Sequence, residues 1–205
     1  FINKNFIYLI GPPLVFIFLV PMVVFFTGLI NFINFMDGID GLIAGCMITI
    51  FSFYSYIINT SFIYILPTLF AFLIFNWHPS KLFMGDSGST FLGSIYVSIL
   101  LSSSSISEFI IIFSLGFPLI LDAVSCLIRR VITKKNIFKP HKQHLYQRLN
   151  QYGLSHSKIS CIYISATLIL GIVATLNNLI ILACSILVIF LAGIYLDKKY
   201  AAKFV

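Results

Sequence analysis

The chain has 205 residues, of which 60% are hydrophobic and only 9% charged, and its net charge is +7. A soluble globular domain carries roughly 25% charged residues, so this composition excludes one: too little charge is present to clothe a wetted surface. The Lys and Arg excess sits in short segments between apolar runs, which reads as membrane topology and excludes nucleic acid as the partner.

In lipid only helices and closed barrels satisfy the backbone. The apolar stretches here are continuous and do not alternate, so the expected fold is all-α, a polytopic transmembrane helix bundle. Seven apolar segments follow in chain order: 12–33, 42–58, 62–77, 89–105, 108–128, 157–176 and 179–196. A span needs roughly 20 residues, with about 17 tolerated, and several of these lie near the lower limit. Pro21 predicts a kink in the first. Ser102–Ser105 is a short polar loop, and Asn177-Asn178 a tight turn before the last segment. The whole of 1–205 reads as one transmembrane domain. The first residue is Phe1 and no signal peptide is visible, so the chain is expected to be the C-terminal part of a larger bundle. Cys46, Cys126, Cys161 and Cys184 all fall in apolar stretches without zinc-site spacing, and read as small hydrophobes with no disulfide.

Orientation follows from the cations. The segment 129–156 carries Arg129, Arg130, Lys134, Lys135, Lys139, Lys142 and Arg148, which makes it cytoplasmic. Counting outward, loops 34–41 and 78–88 and the tail after Leu196 share that side. Of 13 cations only Lys4 falls on the far side. The same assignment brings Asp37, Asp40, Asp86, His78, His141 and His144 to the cytoplasmic face.

Three polar stretches stand out there. In Asn34-Phe35-Met36-Asp37-Gly38-Ile39-Asp40-Gly41, two carboxylates three residues apart share one face of a helical turn. Like charges at that spacing call for a cation or a donor-rich ligand; the alternative is a polar loop with capping Asp residues. In Phe83-Met84-Gly85-Asp86-Ser87-Gly88-Ser89-Thr90, an acid between glycines at a helix start suits a hard metal such as Mg²⁺, or a phosphate on free N–H groups. A plain N-cap by Asp86 or Ser87 explains it equally well. In His141-Lys142-Gln143-His144-Leu145-Tyr146-Gln147-Arg148, imidazoles among cations suit a diphosphate or lipid phosphate. As a zinc site it is weak, because no Cys accompanies it in the sequence; a loop touching anionic lipid is the alternative. Asp122, seven residues before Arg129, lies inside the fifth segment, and an acid at that depth should face the bundle interior, supporting a site or pairing with Arg129 or Arg130. Acids for a metal and bases for phosphate on one membrane face fit phosphoryl transfer.

These stretches resemble the polyprenyl-phosphate N-acetylhexosamine-1-phosphate transferases, a membrane family that includes the initiators of O-antigen and enterobacterial common antigen and the lipid I-forming translocase. The resemblance runs from about Gly11 to Ser157. Phe75-Asn76-Trp77 and the loop form His141–Leu149 look closest to the O-antigen-initiating branch; the consecutive histidines of the lipid I branch are absent. By resemblance, Asp37, Asp40, Asp86 and His144 are the catalytic residues, with Asp86 the Mg²⁺ ligand (Mn²⁺ as a substitute). Asn34, Phe83, His141 and Arg148 bind substrate, Phe83 by stacking on uracil and Asp40 by bonding to it. The implied reaction joins UDP-N-acetylhexosamine and undecaprenyl phosphate, giving the lipid diphosphate sugar and UMP at the cytoplasmic face of a bacterial inner membrane. A homodimer is left open. The family also has an acidic pair in an earlier loop, whereas no acid precedes Asp37 here. That implies either a fragment of the enzyme or a catalytically inactive remnant. A membrane transporter is the alternative from another class; its polar residues belong at mid-membrane on broken helices, where only Asp122 qualifies.

Overall fold

The computed structural model describes residues 12–137 and 139–204, with the side chains of 12–16 excepted; Phe1, Lys4 and Gly11 lie outside the described residues. Among those described the chain is all-α, with no strand. The helices are α1 (Pro12–Phe35), α2 (Leu42–Ile57), α3 (Leu66–Asn76), α4 (Gly85–Leu101), α5 (Ile106–Leu115), α6 (Phe117–Ile132), α7 (Leu145–Tyr152), α8 (His156–Ala174) and α9 (Leu179–Tyr200), with a 3-10 turn over Thr60–Ile65 leading into α3.

Each apolar segment of the sequence is helical, but not each is long enough to span. Ile17–Phe35, His156–Ala174 and Leu179–Tyr200 are long and apolar enough to cross a membrane. At 16 residues, α2 reaches about 24 Å, short of a hydrocarbon core of about 30 Å. The segment 108–128, expected as one span, is instead α5 and α6 meeting at 75°. Among the described residues the count by length and composition is therefore three, or four if the bent pair crosses as one, and the expected seven is not confirmed.

The cause of the bend is local. Pro118 near the start of α6 has no N–H to continue the ladder. Carbonyls freed by such a break need a donor where water is scarce. The Tyr96 hydroxyl supplies it, donating to Phe113 O at 3.1 Å and Ile112 O at 3.3 Å. Gly116 leaves room for the Tyr96 ring, which a Cβ there would strike.

Helix α2 is the core. Every residue from Leu42 to Phe51 is buried, packed by α3, α8 and the 3-10 turn. Its start is set by Gly41, whose φ of +75° is open to glycine. The Gly41 N–H donates to Asn76 Oδ1 at 3.0 Å, and Asn76 Nδ2 donates to Leu82 O at 2.9 Å. One buried amide thus ties the start of α2 to the loop before α4. At the other extreme α9 turns most of its apolar side chains outward, Leu187 and Val188 among them. Outward apolar helices around a packed central one are what a lipid solvent requires, and the protein is a membrane protein.

Candidate active site

The loop ends of α1, α3 and α6 and the starts of α2, α4, α7 and α8 meet at one end of the bundle. Side chain to backbone bonds stitch them. Tyr146 OH donates to Phe35 O at 3.0 Å, Ser160 Oγ to Asp40 O at 2.8 Å, and Ser89 Oγ to Asn34 Oδ1 at 2.5 Å.

The two acids after α1 separate. Asp37 and Asp40 were expected on one face of a helical turn, but residues 37–41 form an open turn. Asp40 points to the α3–α4 loop and the start of α8. Its Oδ2 lies 2.6 Å from His78 Nδ1 and 3.2 Å from His156 Nδ1. The Ser80 hydroxyl donates to Oδ1 at 2.9 Å and the Ser80 N–H to Oδ2 at 3.3 Å. Burial raises the Asp40 pKa, but the bonds from His78 and Ser80 outweigh it and hold the group below the ordinary carboxylate value.

Asp37 faces the other way. Its pKa is pushed up from 3.8 to about 7, first by burial and then by the charge of Asp86. The repelling neighbour is therefore Asp86, 49 positions on, and not Asp40. Asp86 sits exposed in the first turn of α4. It makes no side-chain cap, nor does any residue there, so the plain N-cap alternative does not hold. Among the described residues neither carboxylate has a neutralising ion-pair partner, and with the nearby Asn34 amide they form an oxygen-rich set that fits a hard divalent cation. Phe83 is 73% exposed at the mouth of this region.

The histidine segment closes the same side. His144 is buried. Its ring lies 6.3 Å from Phe35, 5.1 Å from His141 and 5.8 Å from Tyr146 between centroids. Burial, Arg130 and His144 push the His141 pKa down to about 4, so its imidazole is neutral near pH 7. Arg148 does not join this face. It is buried against Asp197, which also takes Arg129, and its Nη1 donates to Ala202 O at 2.9 Å.

Asp122 pairs with neither Arg129 nor Arg130. It accepts from Leu145 N at 2.7 Å, Tyr146 N at 3.0 Å and Tyr163 OH at 2.7 Å. The first two are orphan donors of the first turn of α7. Asp122 therefore supplements, from another helix, the capping box that His144 and Gln147 make at the start of α7. Among the cysteines, Cys46 and Cys126 are buried, whereas Cys161 and Cys184 lie on the outside and are not core residues. The sequence reading gave no role to His156, Ser80, Tyr163 or Cys126; none sits in a motif, and only the fold gathers them.

Residues 3–104 match the model of the glycosyl transferase family 4. The chain belongs to this family. It is 33% identical over 190 residues to a probable undecaprenyl-phosphate N-acetylglucosaminyl 1-phosphate transferase of Bacillus subtilis, covering 85% of this chain and 52% of that one. It is 32% identical over 177 residues to a phospho-N-acetylmuramoyl-pentapeptide-transferase of Staphylococcus carnosus, covering 80% and 53%. A decaprenyl-phosphate N-acetylglucosaminephosphotransferase of Mycobacterium leprae is 30% identical over 166 residues, covering 65% and 41%. The chain spans about half the length of these relatives. The family match covers the Asn34–Gly41 and Phe83–Ser89 stretches and ends before the histidine segment.

Proposed function

We propose that this glycosyl transferase family 4 chain moves N-acetylhexosamine-1-phosphate from a UDP-sugar to undecaprenyl phosphate. An oxygen of the lipid phosphate attacks the phosphorus bearing the sugar. The bridging P–O bond to the uridine-side phosphate breaks, and UMP leaves with the bridging oxygen. The single observation that carries the reading is the Asp37–Asp86 pair: among the described residues neither carboxylate has an ion-pair partner, and the charge of Asp86 adds to burial in raising the Asp37 pKa.

Asp37 and Asp86 would hold Mg²⁺, with Mn²⁺ as a substitute, and the ion would neutralise the diphosphate of the donor. Asn34, held by Ser89, fixes the turn that carries Asp37. Phe83 offers an exposed ring for the uracil. His144 and His141 approach phosphate as hydrogen-bonding groups; His141 brings no charge near pH 7. Asp40 already accepts from His78 and Ser80, so a base bonding to it shares or displaces one of those donors. An apolar groove of about 510 Å³ between α6, α8 and α9, lined by Leu121 and Ile162, open to the outside at Ile169 and Val188 and ending at Arg129, supports a long-chain acceptor at this end.

The cations of 129–156 support an active face towards the cytoplasm of a bacterial inner membrane. The form of the His141–Leu149 segment supports a role in starting a surface glycan such as O-antigen. The test is UMP release in membranes holding the chain, with a panel of UDP-N-acetylhexosamines. Release that depends on undecaprenyl phosphate is expected; release without acceptor, or none with any donor, contradicts the reading.

A further inference from the structure

His141 and His144 precede α7 with their rings stacked, centroids 5.1 Å apart and planes 28° apart. The third residue of the group comes from α6. The Cys126 sulfur and one ring nitrogen from each histidine all lie within 4.8 Å of one another. Ligands of a tetrahedral zinc ion stand roughly 3.4–3.7 Å apart, given metal–nitrogen bonds of about 2.0–2.1 Å and metal–sulfur bonds of about 2.3 Å. The three side chains therefore need shifts of about 1 Å or less to close on an ion.

A second observation points to a ligand. Cys126 is 2% exposed and His144 5%. Nδ1 of His141 is shut off from solvent with no hydrogen-bond partner among the described residues; Nδ1 of His144 is equally shut off, but its ring also faces the Gln147 N–H in a capping box and the Asp122 carboxylate at 3.6 Å. A buried polar atom left unpaired is costly, and a metal ion held between the stacked imidazoles and the thiol relieves it. The surroundings hold the group in place. Asp122, one turn before Cys126, stands 3.6 Å from His144 Nδ1 with its own bonds already made. It lends negative charge without being a ligand. Arg130 stands near enough to act on His141 and Cys126, but its guanidinium is engaged, donating to Gln143 Oε1 at 2.7 Å and to the Asn136 carbonyl. That grip fixes the segment carrying His141. His141 itself is half-buried, which leaves a path for an ion.

We propose that Cys126, His141 and His144 form a site for a soft divalent transition metal of the zinc type, with water in the fourth position. The thiol gives up its proton on binding, and the proton goes to solvent. Mg²⁺ prefers oxygen ligands and does not compete here, so this site is separate from Asp37 and Asp86. An ion in it occupies both imidazoles and removes them from phosphate. Zinc is therefore an inhibitor of the transferase; that consequence rests on the function proposed above, whereas the site does not.

The test adds Co²⁺ to the purified chain in detergent, in excess Mg²⁺. One equivalent should give intense visible bands of tetrahedral cobalt and a near-ultraviolet thiolate-to-cobalt band. Stoichiometric Zn²⁺ should bleach both, a result that needs no variant. Cys126→Ala and His141→Ala should each lose the thiolate or tetrahedral signature, while Asp86→Asn keeps it. The same spectrum with and without Cys126, or only the weak bands of six-coordinate cobalt, overturns the site. In the UMP-release assay, Cys126→Ala should keep basal activity and need at least tenfold more Zn²⁺ for half-inhibition. Equal sensitivity overturns the inhibition. A wild-type chain that releases no UMP defeats the transferase reading, and the cobalt spectrum still decides the site.

Discussion

Asp40 and Asp37 lie three residues apart and live in opposite environments. Asp40 has His78 at 2.6 Å, His156 at 3.2 Å and two bonds from Ser80, and its pKa is held low. Asp37 has burial and a second carboxylate, and its pKa climbs to about 7. A carboxylate whose charge is answered by its own protein is a clasp. One whose charge is left unanswered, beside another of the same sign, awaits a cation from outside. The turn at 37–41 places one of each on either side of the α1–α2 junction, joining the scaffold to the chemistry.

The largest test of this contrast is activity. Asp86→Asn should lower UMP release by about 100-fold or more, the scale of losing a charge aimed at the transferring phosphate, with little change in thermal unfolding. Next in size is Asp122→Ala. It strands two N–H groups of α7 and the Tyr163 hydroxyl, and should cost on the order of 3 kcal/mol in detergent unfolding. A loss below about 1 kcal/mol would mean that the His144–Gln147 capping box holds α7 without Asp122.

Acid titration of the metal-free chain separates the two aspartates by sign. Asp37 binds a proton more tightly when folded, so its contribution to stability falls as pH rises from 3.8 to about 7. Asp37→Asn should flatten that fall. Asp40 is shifted the other way: its contribution is present above 3.8 and is lost as pH drops below it. Asp40→Asn should remove that acid loss and leave the neutral range alone. Slopes of the same sign for both variants would erase the distinction. The smallest effect is Tyr163→Phe, which deletes one of the three bonds to Asp122 and should cost about 1 kcal/mol in the same unfolding measurement.

What the sequence could reveal follows the range of the interactions. Apolar length and the positions of Lys and Arg are local signals; they place the apolar helices, though not α7, which lies inside the expected loop 129–156, and they bring Asp37, Asp40, Asp86, His141 and His144 to one end. The break at Gly116 was missed because an apolar run hides a helix bend, even though Pro118 stood in it. Asp122 was readable as an interior acid, but its partners, Leu145, Tyr146 and Tyr163, are 23 to 41 positions away. Arg148 looked like a phosphate ligand because its segment is basic; that Asp197 would claim it depends on where α9 ends. The histidine segment looked poor as a metal site for want of a cysteine, and Cys126 arrives from α6 only in three dimensions.

Mn²⁺ binding by the detergent-solubilised chain, followed by electron paramagnetic resonance, tests most directly whether the unanswered pair is the cation site. The wild-type chain and Asp40→Asn should both take up Mn²⁺, and the Asp37→Asn/Asp86→Asn double variant should not. Uptake that survives in the double variant and vanishes in Asp40→Asn would reverse the roles of the two carboxylates and contradict the mechanism built on them.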